Sequence, residues 1–281
     1  MSYPDIFFTP EYARLFEDTA FGGVIESRYI RQIPGSTYVD ATPPYGYTGI
    51  NEPVCEFARL HPFLEHNCNP EYMKQIGEVI YVDLTDDLKE IWRGYDKGCK
   101  SSIKKAQRNG ITISTTQRLE DIGVLHNLYI ETMKRNGATQ GYILPFSFFY
   151  SAVHLLKGHI ELFTAEYEGA IIAGALILHY GDFVHYFLGG SDTRYLSLCP
   201  NNLILDTAIR WAKEEGYKIF NLGGGLGGSD DKLLSFKRSF SHKTKPFNVY
   251  CKVNNQEVYD NLCRQRGIDP ESNGYFPAYR R

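Results

Sequence analysis

Residues 223 to 228 read Gly223-Gly224-Gly225-Leu226-Gly227-Gly228, a run after an apolar segment whose spacing matches loops that cradle phosphates with backbone N–H groups. A dinucleotide fingerprint belongs in the first βα unit, with strands still to come and an acidic ribose partner roughly 20 residues on. Here about one further strand remains, and the region near residue 248 offers Asn248 in place of an acid. No Gly-Lys-Ser/Thr follows, which excludes a Walker loop. The run is therefore read as a flexible loop closing over a site.

Two basic clusters accompany it. Lys97, Lys100, Lys104, Lys105 and Arg108 form the first, and Lys232, Lys237, Arg238, His242, Lys243 and Lys245 the second. The formal net charge is -3, so no global positive field holds a polyanion and any phosphate contact must be local. Lys100, Lys104, Lys105, Arg108, Arg238 and Lys243 are the candidate contacts to the phosphates of tRNA or of a nucleotide-linked acceptor; two solvated faces are the alternative. Tyr45, Tyr47 and Arg59 offer rings and a guanidinium that can hold a peptide or sugar-phosphate acceptor, although Pro-Pro-Tyr-Gly-Tyr makes a turn in any protein. His61, His66 and Cys68 lack a fourth ligand, so no metal site is expected. His179 and His185 flank a turn and are read as covering a strand surface.

These residues need a scaffold. At 281 residues and 43% apolar content the chain is long enough for one large or two modest domains with real cores. Six scattered cysteines without a CxxC pair suit reduced thiols. The start lacks the flank and core of a signal peptide and no long apolar run occurs, so the cytoplasm is the expected compartment. Strands are predicted at 24–33, 37–41, 56–60 and 79–84, followed by a segment capped by Asp86 or Asp87 and a basic helix over 100–109. From residue 111 the order is a strand, a helix with Ile122, Leu125, Leu128, Tyr129 and Met133 at helical spacing, and a helix over 145–156. A meander over 160–188 comes next. A helix capped by Asn201 or Asn202, a strand at 218–222, a helix over 230–239 and a strand at 247–253 complete it.

That element order is the one of GCN5-related N-acyltransferases, and three stretches resemble their FemAB/FemX-like branch. They are Tyr38 to Tyr47 with Phe57-Ala58-Arg59-Leu60-His61-Pro62; Ser102-Ile103-Lys104-Lys105-Ala106 through Gly110; and Gly189-Gly190-Ser191-Asp192, Pro200-Asn201-Asn202-Leu203, Ala208 to Ala212, Phe220 to Gly225 and Phe236-Lys237-Arg238-Ser239-Phe240. The resemblance implies an α/β (α+β) fold of two GNAT-like subdomains with mixed sheets flanked by helices. Residues 1–110 would form a degenerate, acceptor-side copy with the basic connecting helix, and residues 111–281 the acyltransferase copy.

It also implies an enzyme: an aminoacyltransferase taking an amino acid from aminoacyl-tRNA to an amine of a peptidoglycan precursor or small peptide, with no tightly bound cofactor. Lys237, after the glycine loop, is the expected catalytic residue, stabilising negative charge at the reacting centre or on the acceptor's phosphate. Asp192, Asn201, Gly223, Gly224, Gly225 and Phe236 join Tyr45, Tyr47 and Arg59 on the substrate-binding side. Acetyl-CoA enzymes of this scaffold cradle pyrophosphate on a glycine-rich turn entering a helix, whereas the turn over 192–201 here contains no glycine. Two alternatives stand beside this reading. One is an N-acyltransferase using acyl-CoA or acyl-carrier protein on an amino sugar or polysaccharide precursor. The other is a non-catalytic binding module that keeps the fold.

Overall fold

A computed structural model describes residues 54–138, 140–225, 230–271 and 275–280. The strands expected at 24–33 and 37–41, and the candidates Tyr45 and Tyr47, lie outside the described residues. In chain order the elements are β1 (Cys55–Arg59), β2 (Met73–Asp83), α1 (Leu88–Gly94), α2 (Lys97–Arg108), β3 (Thr112–Thr116), α3 (Leu119–Arg135) and α4 (Phe146–Leu155). Then follow β4 (Ile160–Tyr167), β5 (Ala170–Tyr180), β6 (Phe183–Ser191), α5 (Pro200–Glu214), β7 (Ile219–Gly223), α6 (Lys232–Arg238), β8 (Thr244–Val253) and α7 (Gln256–Gln265). The described residues divide into two compact units, Glu78–Lys245, and 54–77 with the segment from Pro246 onward.

The first unit carries a mixed sheet in the order β2, β7, β6, β5, β4, β3. All neighbours are antiparallel except β6 and β7, which are parallel. The period-two alternation of strands sorts its side chains into two cores. Leu162, Leu176, Leu178 and Leu188 pack with Ile122, Leu125, Tyr129 and Met133 of α3 and Phe148 and Phe149 of α4. Phe163, Ala165, Ala175, Ile177, Val184, Phe220 and Leu222 pack with Ile103 and Ala106 of α2 and Ile204, Ala208 and Ile209 of α5. Being covered on both faces, β5 is buried almost throughout, which is why it reads as a continuous apolar run. At Gly190 the α3 backbone comes so close that a Cβ there would lie 2.4 Å from the Tyr129 nitrogen. Only glycine fits that contact.

The compact units do not divide at residue 110. Through Cys99, Ile103 and Ala106, α2 joins the same core as α5, so a helix expected to connect two subdomains is part of the larger one. Other boundaries also move. Pro200 occupies the first turn of α5, and Cys199 precedes it in the left-handed region at φ 61°. Proline fixes φ and has no N–H to satisfy, so α5 begins there and neither Asn201 nor Asn202 caps it.

In the second unit β1 pairs antiparallel with β8, from Cys55 opposite Val253 to Arg59 opposite Val249. Val54, Cys55, Tyr259, Leu262, Cys263, Ala278 and Tyr279 form its main core, with α7 supplying three of them at helical spacing. All six cysteines carry free thiols. Among the described residues no helix is long and apolar enough to cross a membrane.

Candidate functional site

Lys237 lies on α6, a seven-residue helix whose N-cap Asp231 accepts a hydrogen bond from the Leu234 N–H. Leu234 and Lys237, three apart and so on one face, are its buried residues. The Lys237 side chain reaches inward, and its Nζ donates to the Gly224 carbonyl oxygen at 2.7 Å. Nζ also stands 6.0 Å from the centre of the Tyr186 ring. Withdrawal from water penalises the ammonium and pushes its pKa down to about 7, against a smaller opposing effect of Asp231. A buried lysine in this state carries a proton that it can hold or release near neutrality.

The parallel strands β6 and β7 position this amine. Their pairing runs from Phe183 opposite Ile219 to His185 opposite Asn221 and stops there, while β6 continues to Ser191. Past that point β6 no longer pairs with β7. Asn221, buried at the last pair, accepts the Gly223 N–H on its Oδ1 at 2.8 Å. Gly223 then turns at φ 77°, a region that favours glycine, and a Cβ there would sit 3.1 Å from Lys237 Nζ and 3.7 Å from His185 Cε1. A Cβ on Gly224 would meet the Glu78 carbonyl oxygen at 2.6 Å. His185, Tyr186, Asn221, Gly223, Gly224 and Lys237 therefore converge where the strands part. Burial pushes the Tyr186 phenol up to about 12, so it remains a neutral hydroxyl.

His185, Tyr186 and Asn221 are site residues that sequence reasoning does not single out. His185 is expected to cover a strand surface, yet it is 2% exposed at the end of the parallel pair. The signal available is its place beside the glycine run, and that depends on a strand pairing between residues some 36 apart. His179, by contrast, hydrogen-bonds the Tyr217 hydroxyl at 2.7 Å and packs on Trp211.

The connection from β6 to α5 closes on itself. Thr193 donates its N–H (3.0 Å) and its hydroxyl to the Glu131 carboxylate of α3. Asp192 accepts the Arg194 N–H at 2.9 Å and pairs with its guanidinium at 2.6 Å. Hydrogen bonds and charge from Arg194 hold the Asp192 carboxyl below its usual range, and those of Thr193 do the same for Glu131. Asn201 donates from Nδ2 to the Ser191 hydroxyl at 3.3 Å. Asp192 and Asn201 thus both lie at the end of β6, in a turn whose Thr193 and Arg194 N–H groups already serve two carboxylates.

The remaining candidates are dispersed. Phe236 packs edge-on against Phe240, and Gly225 is buried after Gly224. Arg59 lies on β1 in the second unit with its guanidinium over the Phe57 ring. On α2, Lys104, Lys105 and Arg108 are exposed, and Lys100 donates to the Arg93 carbonyl at 2.9 Å. No acidic residue lies within α2. Arg238 pairs with Glu78 and with Asp230, and Lys243 with Asp83 and Asp86 at 3.0 and 2.9 Å. Much of the second basic cluster is therefore neutralised by the chain's own carboxylates. Among the described residues no group of three or more His, Cys, Asp or Glu side chains is placed to hold a metal ion.

Residues 93–238, more than half of the chain, match the family described as Acetyltransferase (GNAT) domain. The chain is 26% identical over 199 residues to the UDP-N-acetylmuramoylpentapeptide-lysine N(6)-alanyltransferase of Weissella viridescens, covering 70% of this chain and 55% of that protein. It is 28% identical over 105 residues to a lipid II:glycine glycyltransferase of Staphylococcus epidermidis, covering 35% of this chain and 25% of that one. The chain spans about half the length of the first of these relatives and a quarter of the second. Its fold is similar to the crystal structure of FemX, with a TM-score of 0.58 at 15% identity over 68% of each chain.

Proposed function

The chain belongs to the acetyltransferase (GNAT) domain family, and from that premise we propose that it is an aminoacyltransferase of the FemAB/FemX kind. In this reading an amino acid passes from aminoacyl-tRNA to an amine of a peptidoglycan-precursor peptide. The observation that carries the proposal is the buried Lys237 amine beside the unpaired edge of β6.

Amide formation from an ester needs the acceptor amine held against the carbonyl carbon and a counter-charge for the oxygen on which negative charge develops. The acceptor nitrogen forms the new C–N bond, the tetrahedral oxyanion collapses, and the bond to the ribose oxygen breaks. The proton lost by the amine ends on that leaving oxygen. Lys237, as ammonium, is the group assigned to the oxyanion; in a site shielded from water such a donor contributes roughly 100- to 1000-fold in rate. His185 and the Tyr186 hydroxyl flank the path of the proton.

The donor assignment is supported by the turn after β6. A coenzyme A diphosphate needs free backbone N–H groups there. At the start of the turn it would instead meet the Glu131 and Asp192 carboxylates and the Thr193 and Arg194 N–H groups already bonded to them. A tRNA donor presents phosphates over a wider surface, and the acid-free basic face of α2 is suited to them. The acceptor class is supported by the names of the relatives, a UDP-N-acetylmuramoylpentapeptide-lysine alanyltransferase and a lipid II:glycine glycyltransferase. The test is transfer of labelled amino acid from a charged tRNA pool to a muramoylpentapeptide acceptor, run beside labelled acetyl-CoA. Transfer from acetyl-CoA alone would replace this reading with the acyl-CoA one.

A further inference from the structure

The α6 helix that carries Lys237 is too short to hold its register unaided, since an isolated two-turn helix is marginal in water. Leu234 is buried in the core and Phe236 packs against it, but the helix's other buried side chain, Lys237, is the amine read as the working group. The chain leading to it is rich in glycine, which carries the greatest backbone entropy. Yet Nζ must stay on the Gly224 oxygen, and Gly224 in turn is pressed against the Glu78 carbonyl. Beyond the helix, Lys243 joins β2 by accepting the Tyr81 N–H on its carbonyl oxygen at 3.1 Å and pairing with Asp83; within α6 it is the Arg238 side chain that reaches β2.

We propose that Arg238 is a positioning residue for Lys237, clamping α6 to β2 through Glu78 and to the start of its own turn through Asp230. The planar guanidinium suits the task, because it offers separate N–H groups to the two carboxylates at once: one terminal nitrogen to Glu78 and the other to Asp230. Glu78 thereby fixes both partners of the Lys237 contact, holding α6 with its carboxylate and abutting Gly224 with its backbone oxygen. The two arms are unequal. The Glu78 and Arg238 side chains are 32% and 33% exposed, whereas that of Asp230 is 68% exposed and its pair is more heavily screened. This role is an alternative to the phosphate contact expected of Arg238 from its charge, and it rests on the reading of Lys237 as the working amine.

Two measurements separate the clamp from that reading. The first needs no activity: the folded full chain is treated with acetic anhydride at fixed alkaline pH, and modification of Lys237 is followed by mass spectrometry against exposed Lys157. With the fold checked by circular dichroism, Arg238→Gln and Glu78→Gln are expected to label Lys237 about ten times faster than the wild type, Asp230→Asn no more than about twice as fast, and Arg238→Lys in between. Unchanged labelling in Arg238→Gln or in Glu78→Gln overturns the clamp. The second is the transfer assay, where the clamp predicts kcat lowered about tenfold in either variant with the donor KM within about twofold. The double variant should be no worse than the poorer single one. A raised donor KM with intact kcat in Arg238→Gln alone would make Arg238 a phosphate contact and overturn the proposal. Absence of transfer in the wild type would count against the function proposed above, while the labelling result would still decide the clamp.

Discussion

The Lys237 amine and the Gly224 carbonyl oxygen are 2.7 Å apart and buried, although the two residues belong to different elements and are separated by 13 positions. This contact places an ionisable nitrogen at the point where β6 and β7 cease to pair, and the predictions concern what that nitrogen does and what surrounds it.

Replacing Lys237 tests its charge. Lys237→Met fills the space without the amine and is expected to lower kcat by about 100-fold or more while leaving the circular dichroism spectrum unchanged. Retained turnover would remove Lys237 from the chemistry.

The same substitution has a signature in stability. The folded-state pKa of Lys237 is depressed from 10.5 to about 7, so between those values the unfolded chain binds a proton that the folded chain does not. Stability from this group therefore rises with pH across that window, by about 1.4 kcal/mol per pH unit at most, and is lost as pH falls through about 7. Urea unfolding from pH 7 to 10 should show a steeper upward slope in the wild type than in Lys237→Met. Equal slopes would mean that the amine is hydrated.

The basic face of α2 is expected to set the affinity for the donor. Lys104→Glu with Lys105→Glu and Arg108→Glu should raise the KM for charged tRNA at least tenfold and reduce the salt dependence of binding by roughly one logarithmic unit for each phosphate no longer neutralised. These side chains are exposed, so the unfolding midpoint should stay put. An unchanged KM would return α2 to the role of a solvated face.

Gly190→Ala addresses the scaffold. A methyl group 2.4 Å from the α3 backbone must push β6 and α3 apart, with an expected loss of about 3 kcal/mol in chemical denaturation. A variant as stable as the wild type would contradict the close packing of α3 on β6.

Local signals were legible and nonlocal ones were not. The helical spacing of Ile122, Leu125, Leu128, Tyr129 and Met133 gave α3, and turn residues at Gly169 and Gly181 delimited β4, β5 and β6, because one periodicity governs each element. The first half of β2, residues 73–78, and all of α7 have no counterpart in the sequence reading. The Met73 to Gly77 stretch is largely exposed and has no apolar alternation, and α7 buries a narrow stripe with a mostly polar remainder. The site shows the same division. Lys237 and the glycine run carry a sequence signal as candidates, but the surroundings of that lysine, Gly224 and Tyr186, reach it only through tertiary structure. The pairing of Arg238 and Lys243 with carboxylates some 160 residues earlier had no local trace either, so they read as free positive charge.

The most direct test of the central claim is transfer of radiolabelled amino acid from a charged tRNA pool to a muramoylpentapeptide acceptor, comparing the wild type with Lys237→Met at about pH 6.5, below the Lys237 pKa of about 7. The account predicts labelled amide product with the wild type and about one hundredth as much or less with the variant. Transfer from acetyl-CoA instead of tRNA, or equal product from the two proteins, would contradict it.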